Sequence, residues 1–283
     1  MRTTSAASMK AETLVEALPY IRTHRGRIVV VKIGGEALDD DRLAAVVAED
    51  LALMALVGIQ LVVVHGGGPQ VSEAMRRAGV EPTFVNGLRV TDDAAMEVVR
   101  QVLVGSINQN LVGLLCAAGL DAVGLSGVDG GTFVADRLHD LGRVGNVRVV
   151  RPELVLSILG DGYTPVIATV APDDEGMALN INADSAAGAL AIALGAAKLV
   201  YLTNVEGLYS DLGDRGSLIS ELKAAELESM LPALSSGMGP KARSAVAALQ
   251  AGVGKVHILD GRLQHSLLLE VFTDEGIGTQ VLP

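Results

Sequence analysis

Residues 28–35 read Ile28-Val29-Val30-Val31-Lys32-Ile33-Gly34-Gly35, a β-branched run that ends in a lysine and a pair of glycines. A second such run, Leu61-Val62-Val63-Val64, leads into His65-Gly66-Gly67-Gly68-Pro69-Gln70. Strands that are apolar on both faces suit a sheet covered by helices on both sides. Further runs recur at Thr164-Pro165-Val166-Ile167, Leu199-Val200-Tyr201-Leu202 and Val256-His257-Ile258-Leu259. Between them, residues 41–57, 70–78, 94–104, 108–118, 183–194 and 240–251 carry apolar side chains at three- and four-residue spacing and read as helices. The alternation predicts an α/β protein with a mostly parallel, doubly wound sheet.

Local signals set the boundaries. Residues 39–41 and 91–93 supply acidic or hydroxyl caps ahead of helical runs, and Gly58, Gly79 and Gly195 follow helix ends. Residues 172–176 form a polar turn cluster, and residues 194–196 precede a fresh strand and mark a lobe boundary. Ahead of the first strand, residues 11–23 place Leu14, Leu18 and Ile21 on one face around Pro19, a short kinked helix that either folds back on its own chain or binds a partner.

Composition narrows the function. Hydrophobic residues make up 49% of the chain, enough for a substantial core. The formal net charge of −11 argues against a nucleic-acid partner, because phosphate backbones require a broad basic face. Aromatic residues amount to 2% with no Trp, so a bound nucleotide would be held by backbone and aliphatic contacts. Cys116 is the single cysteine, which excludes an intrachain disulfide and a cysteine metal cluster. No apolar stretch is long enough to span a bilayer and the first ten residues lack an apolar signal core, so a cytoplasmic location and no membrane partner are expected.

The two glycine loops carry the chemistry. Glycine lets backbone N–H groups approach phosphate oxygens, and Lys32 at a strand end supplies a point charge. Ligands of open α/β sheets bind at that edge. Pro69 fits the first turn of a helix whose N-terminus can face an anion. Neither a dinucleotide-binding fingerprint nor a Walker loop is present, which disfavours a nicotinamide oxidoreductase and a P-loop NTPase. His65 reads as a hydrogen-bonded structural histidine.

Five segments in order, Lys32-Ile33-Gly34-Gly35, residues 65–70, Asn86-Gly87-Leu88-Arg89-Val90-Thr91, Asn180-Ile181-Asn182-Ala183-Asp184, and Gly237-Met238 with Lys241, resemble the N-acetylglutamate kinases of the amino-acid kinase family. The similarity runs from about residue 9 to the C-terminus. It implies the amino-acid kinase fold, a three-layer α/β/α sandwich with a mostly parallel central sheet in two lobes. The implied divisions are an oligomerisation helix over 1–25, an acyl-amino-acid lobe over 26–195 and an ATP-binding lobe over 196–283. The chain departs from the commonest pattern at Glu36, Leu38, Val128, Asn204 and Gly239.

The implied activity is phosphorylation of the side-chain carboxylate of N-acetyl-L-glutamate by ATP, with Mg2+ arriving alongside the nucleotide and no protein-held metal. Lys32 and Lys241 would hold the transferred phosphoryl group from opposite sides, with Asp184 orienting both. The bland alternatives are a helix cap for Asp184 and a solvated position for Lys241. Arg89 would take the substrate α-carboxylate and Asn180 the acetamido group, together with amides at Gly67 and Gly68. Gly34, Gly35, Thr203, Asn204, Val205, Gly207, Leu208, Tyr209 and Met238 would hold ATP. The N-terminal helix and residues 265–278 resemble those of arginine-inhibited, ring-forming members. This implies a hexamer built as a trimer of dimers and an inhibitory arginine site near Tyr20, His265, Glu270 and Gly276. Two rival readings are a kinase for carrier-bound aminoadipate or another amino-acid carboxylate, and a non-catalytic arginine-sensing paralogue. The former is disfavoured by the acidic net charge, the latter by the intact Lys32, Asp184 and Lys241.

Overall fold

The structure, a computed structural model, describes residue 12 and residues 15–211, 213–273 and 276–283. Much of the expected 1–25 helix, and Asp274 and Glu275 of the tail, lie outside the described residues. The first half of the chain runs α1 (Leu18–His24), β1 (Ile28–Ile33), α2 (Asp41–Leu56), β2 (Gln60–His65), α3 (Gly68–Arg77), β3 (Phe84–Val85), β4 (Leu88–Arg89), α4 (Asp93–Arg100), α5 (Asn108–Ala117), β5 (Ala122–Ser126), β6 (Phe133–Arg137) and β7 (Val144–Val150). It continues with α6 (Glu153–Gly160), β8 (Thr164–Ala168), β9 (Val170–Pro172), β10 (Ala178–Ile181), α7 (Ala183–Ala193), β11 (Lys198–Thr203), β12 (Leu208–Tyr209) and β13 (Leu218–Ile219). The last elements are β14 (Glu221–Lys223), α8 (Ala224–Met230), α9 (Met238–Gln250), β15 (Lys255–Asp260), α10 (Ser266–Phe272) and β16 (Thr279–Leu282).

An eight-stranded sheet in the order β14-β16-β15-β11-β1-β2-β8-β5 forms the centre. Its neighbours pair in parallel except β15 with β16, so the five runs read from sequence all lie in one mostly parallel sheet. Period-two alternation divides their side chains between two cores. Val29, Val31 and Ile33 meet α2, α5 and α10 through Val47, Leu51, Leu111, Leu115 and Leu267. Val30, Leu199 and Tyr201 face α7, α8 and α9 on the opposite side, through Leu190, Leu227 and Ala245. The three-layer sandwich follows, and Lys32, sharing the parity of Val30, is directed to the face covered by α7.

The expected caps are in place. Asp40 accepts from the N–H groups of Arg42 and Leu43, and Asp92 accepts from that of Ala95. Pro19 sits in the first turn of α1, where its missing N–H costs nothing, and so starts that helix. The regions expected as helices over 94–104 and 108–118 join into one continuous rod, because Gln101–Ile107 forms a π-helical segment between α4 and α5. A second, four-stranded sheet, β6-β7-β10-β9, was not foreseen from the apolar runs; its β7 pattern is interrupted by Gly145, Asn146 and Arg148. It packs on the α7 face through Phe133, Ala135, Leu179 and Ile181.

Candidate active site

The carboxyl ends of β1 and β2 open onto a cleft of about 210 Å³. Its floor is made by Lys32, Gly35 and residues 66–68, and its walls by Arg89, Asn180 and the start of α7. A side chain on Gly35 would stand 2.7 Å from Pro69 Cδ and 3.2 Å from the Gly68 nitrogen, so the two glycine loops touch because neither carries a Cβ. Gln70 Nε2 donates to the Gly35 carbonyl at 2.8 Å and ties the loops together. Among the described residues, no hydrogen bond reaches the Gly67 or Gly68 N–H. Orphan donors at a helix start, here that of α3, form an anion site.

Asp184 sits in the first turn of α7, between two lysines. Its Oδ1 lies 2.8 Å from Lys32 Nζ, and its Oδ2 accepts a hydrogen bond from Lys241 Nζ at 2.8 Å. All three are buried: Lys32 8% exposed, Asp184 7%, Lys241 5%. Burial pushes the Asp184 carboxyl up, but the two ammonium groups prevail and hold it at about 2. The bland readings of the pair do not survive. Asn182 is the cap of α7, its side chain accepting from the Asp184 and Ser185 N–H groups at 3.0 Å each, and Lys241 lies on the inward face of α9. Ser244 donates to the Asp184 carbonyl at 2.9 Å and accepts from Tyr201 at 2.8 Å, fixing α7 against α9 beneath the lysines.

Arg89 enters from a β3–β4 hairpin whose turn residues Asn86 and Gly87 have φ values of 51° and 80°, the left-handed pair that tight hairpins require. Its guanidinium is buried, stacks 4.7 Å from the Phe84 centroid, and donates to the Gly68 carbonyl and Ser72 Oγ at 2.8 Å each. Among the described residues no carboxylate pairs with it, so it is no ordinary surface ion pair. Asn180 on β10 donates to Thr91 Oγ1 at 3.2 Å and lines the same cleft. Among the described residues, Asp184 is the one acid lining it.

The residues expected around ATP divide into two groups. Gly34 donates to the Leu202 carbonyl at 3.1 Å, and with Gly35, Thr203 and Asn204 it lies at the edge that bears Lys32. Val205, Gly207, Leu208 and Tyr209 form the adjoining turn and β12. The close approach expected of Gly207 is made to its own chain, since a Cβ there would collide with Thr279 Oγ1. Leu208 is core, 2% exposed, and the Tyr209 hydroxyl donates to Glu206. Met238 opens α9, packed against the core above Lys241.

A second buried charged cluster lies at the other end of the same sheet. Glu270 Oε1 is 2.6 Å from His257 Nδ1, and Glu270 Oε2 accepts from the Ile277 N–H at 3.1 Å. Lys198 and Lys255 begin β11 and β15 and face each other in register. A Cβ on Gly276 would lie 3.6 Å from Glu270, and α1 packs on α10 with Tyr20 against the core there. His265 stands apart from Glu270 in its bonding: with φ 59° it turns its ring to Asp50, at 2.6 Å. Sequence reading missed Lys198, His257 and His24 here, and Gln70, Ser72, Thr91, Asn182, Tyr201 and Ser244 around the cleft. Only the Asn86-Gly87 turn and the Asn-x-Asn-Ala-Asp cap left a local signal.

The fold and the paired lysines define a phosphoryl-transfer protein, and the chain belongs to the amino acid kinase family, whose model matches residues 27–260. It is 50% identical to the acetylglutamate kinase of Saccharopolyspora erythraea over 99% of this chain and 95% of that protein, and 52% identical to the acetylglutamate kinase of an Arthrobacter species over 99% and 94%. The N-acetylglutamate synthase of Neisseria gonorrhoeae, solved with coenzyme A and N-acetyl-glutamate, superposes with a TM-score of 0.87 at 30% identity over 96% of this chain. This chain spans 63% of that synthase.

Proposed function

We propose that the chain transfers the γ-phosphoryl group of ATP to the side-chain carboxylate of N-acetyl-L-glutamate, giving N-acetyl-L-glutamyl 5-phosphate for arginine biosynthesis in the cytoplasm. The observation that carries this reading is the Lys32–Asp184–Lys241 bridge beside the unpaired amides of the triglycine loop. A carboxylate nucleophile is already ionised at neutral pH, so no general base is required. Asp184, held at about 2 between two cations, could not act as one. It holds the lysines so that both ammonium groups meet the phosphoryl oxygens, and catalysis rests on positioning and charge.

Arg89, a buried cation without a carboxylate of its own, pairs with the substrate α-carboxylate, and Asn180 holds the acetamido group. Among the described residues the cleft offers no free acid for an ammonium, which favours an acylated substrate over a free amino acid. Gly34, Gly35, Thr203 and Asn204 line the ATP side, with residues 205–209 and Met238 around them. Mg2+ would arrive with the nucleotide as MgATP, offsetting phosphate charge beside the two lysines.

Regulation by arginine belongs to the same reading. The buried Glu270 carboxylate, beside Gly276 and under α1, is the group that would meet a guanidinium, with Tyr20 and His265 nearby. Residues 1–25 would link dimers into a hexamer.

ADP release from MgATP, measured with N-acetylglutamate, glutamate, aspartate and N-acetylaspartate and blanked with Lys32→Ala, tests the activity. Turnover confined to N-acetylglutamate is expected. Activity on a free amino acid, or silence with all four, would overturn it.

A further inference from the structure

Behind the triglycine loop lies a chain of buried polar groups that the mechanism above does not use. His65, the last residue of β2, is fully buried, and its ring spans two contacts. Nδ1 is 3.0 Å from the carbonyl of Gly66, and Nε2 is 3.0 Å from Nδ2 of Asn108, itself 1% exposed.

The Asn108 amide orientation is fixed by two other partners. Its Nδ2 donates to the Val166 carbonyl at 2.9 Å and lies 3.3 Å from the Leu125 carbonyl. An oxygen at that position would face two carbonyl oxygens, so the NH2 group must occupy it. The His65 Nε2 beside this NH2 is therefore an acceptor, which leaves the ring proton on Nδ1. Burial lowers the His65 pKa to about 4, so the ring is neutral across the physiological range.

A proton on Nδ1 is donated to the Gly66 carbonyl. In a planar trans peptide the carbonyl of one residue and the N–H of the next point in opposite directions. Fixing the Gly66 carbonyl towards His65 therefore fixes the Gly67 N–H away from it, on a residue that lines the cleft and whose N–H has no partner among the described residues. We propose that His65, locked by Asn108 as its Nδ1-protonated tautomer, is a positioning residue that aims the Gly67 N–H at the phosphoryl group being transferred.

Two features of the fold serve this arrangement. The π-helical segment Gln101–Ile107 delivers Asn108 at the start of α5 and lays Leu103 and Ile107 against Gly67, where any Cβ would collide with Ile107. Gly124 of β5 leaves room for the Asn108 amide, since a Cβ there would strike Asn108 Oδ1. A π-segment in a helix often marks a functional position, and here it sets the phase of one amide.

The proposal rests on the phosphotransfer reading, so its test has one arm that needs no turnover. Long-range proton–nitrogen NMR on uniformly 15N-labelled protein reports the His65 tautomer, its signals identified by their absence in His65→Asn. A neutral, Nδ1-protonated ring, unchanged from pH 6 to pH 8, is expected; an Nε2-protonated or titrating ring overturns the proposal, whatever the substrate proves to be. The kinetic arm compares two variants. His65→Asn puts an amide donor where Nδ1 stands, and His65→Gln reaches only the Nε2 position. His65→Asn should keep kcat within about threefold, and His65→Gln should lose roughly tenfold or more in kcat with KM for the acid nearly unchanged, as expected when one transition-state donor is misaimed. Equal effects of the two substitutions would overturn it.

Discussion

The central sheet buries charge at both ends, and the two ends treat it differently. At the carboxyl end, Lys32 and Lys241 share Asp184, and Arg89 completes a cation-rich cleft lined by unpaired amides. At the amino end, His257 and Lys198 act on Glu270, and His24 and Lys255 lie beside those two. In the first cluster Lys32 and Arg89 face the cleft, where an anion can neutralise them, although burial lowers the pKa of Lys241 and Arg89 as well. In the second, burial aided by neighbouring cations lowers His24 to about 4 and Lys198 to about 8, so at pH 7 His24 is neutral while Lys198 stays mostly charged. Buried cations in excess over acids are tolerated either by a ligand that brings the missing charge or by loss of protons.

The largest effect should come from breaking the first cluster. Lys32→Ala or Asp184→Asn should lower kcat by on the order of a thousandfold, measured as ADP release at saturating substrates. Asp184→Asn should also cost about 3–5 kcal/mol of stability in denaturant titration, because it leaves two buried lysines without their counter-charge. Arg89→Ala should act on binding, raising KM for the acid roughly a hundredfold with a smaller change in kcat. A kcat loss as large as that of Lys32→Ala would move Arg89 into the phosphoryl site.

The second cluster should answer to inhibitor and pH. Glu270→Gln should abolish inhibition by millimolar arginine while leaving uninhibited kcat within about twofold. An unchanged inhibition curve would remove Glu270 from any arginine site, and no inhibition of the unmodified protein would remove the site itself. The smallest effect is on stability against pH. His24 has a folded pKa below its unfolded value, so the unfolded chain binds the extra proton and stability should rise as pH climbs from about 4 to 6.5. Lys198 should add a second rise between about 8 and 10.5, which Lys198→Met flattens in thermal melts. Asp184 is displaced in the same direction, at lower pH; its contribution is complete above 3.8 and is lost as pH falls towards 2.

Sequence alone settled the features that depend on near neighbours. The five β-branched runs suited strands covered on both faces, which they form, and glycines directly after two of them pointed to the edge that carries the cleft. Asp40, Asp92 and the glycines after helix ends act within a turn of their own position. Lys32, Asp184, Lys241, Arg89 and Asn180 could be singled out through the motifs that carry the family resemblance, and the structure gathers them at one end of the sheet. Tertiary structure decided what those motifs could not contain. Asp184 could have capped its own helix until Asn182 was seen to do so, and its role as a bridge depends on α7 lying across β1 and against α9. His65 shows the same limit: its neighbours in sequence are glycines, and the side chain that sets its tautomer is Asn108, brought to it by a π-helical segment that no hydrophobic period announced. Lys198, His257 and Glu270 meet only because β11, β15 and α10 converge. Hydrophobic pattern and turn chemistry act over a few residues and survive in the sequence, whereas a buried charge takes its partner and its pKa from whichever strands and helices the packing places beside it.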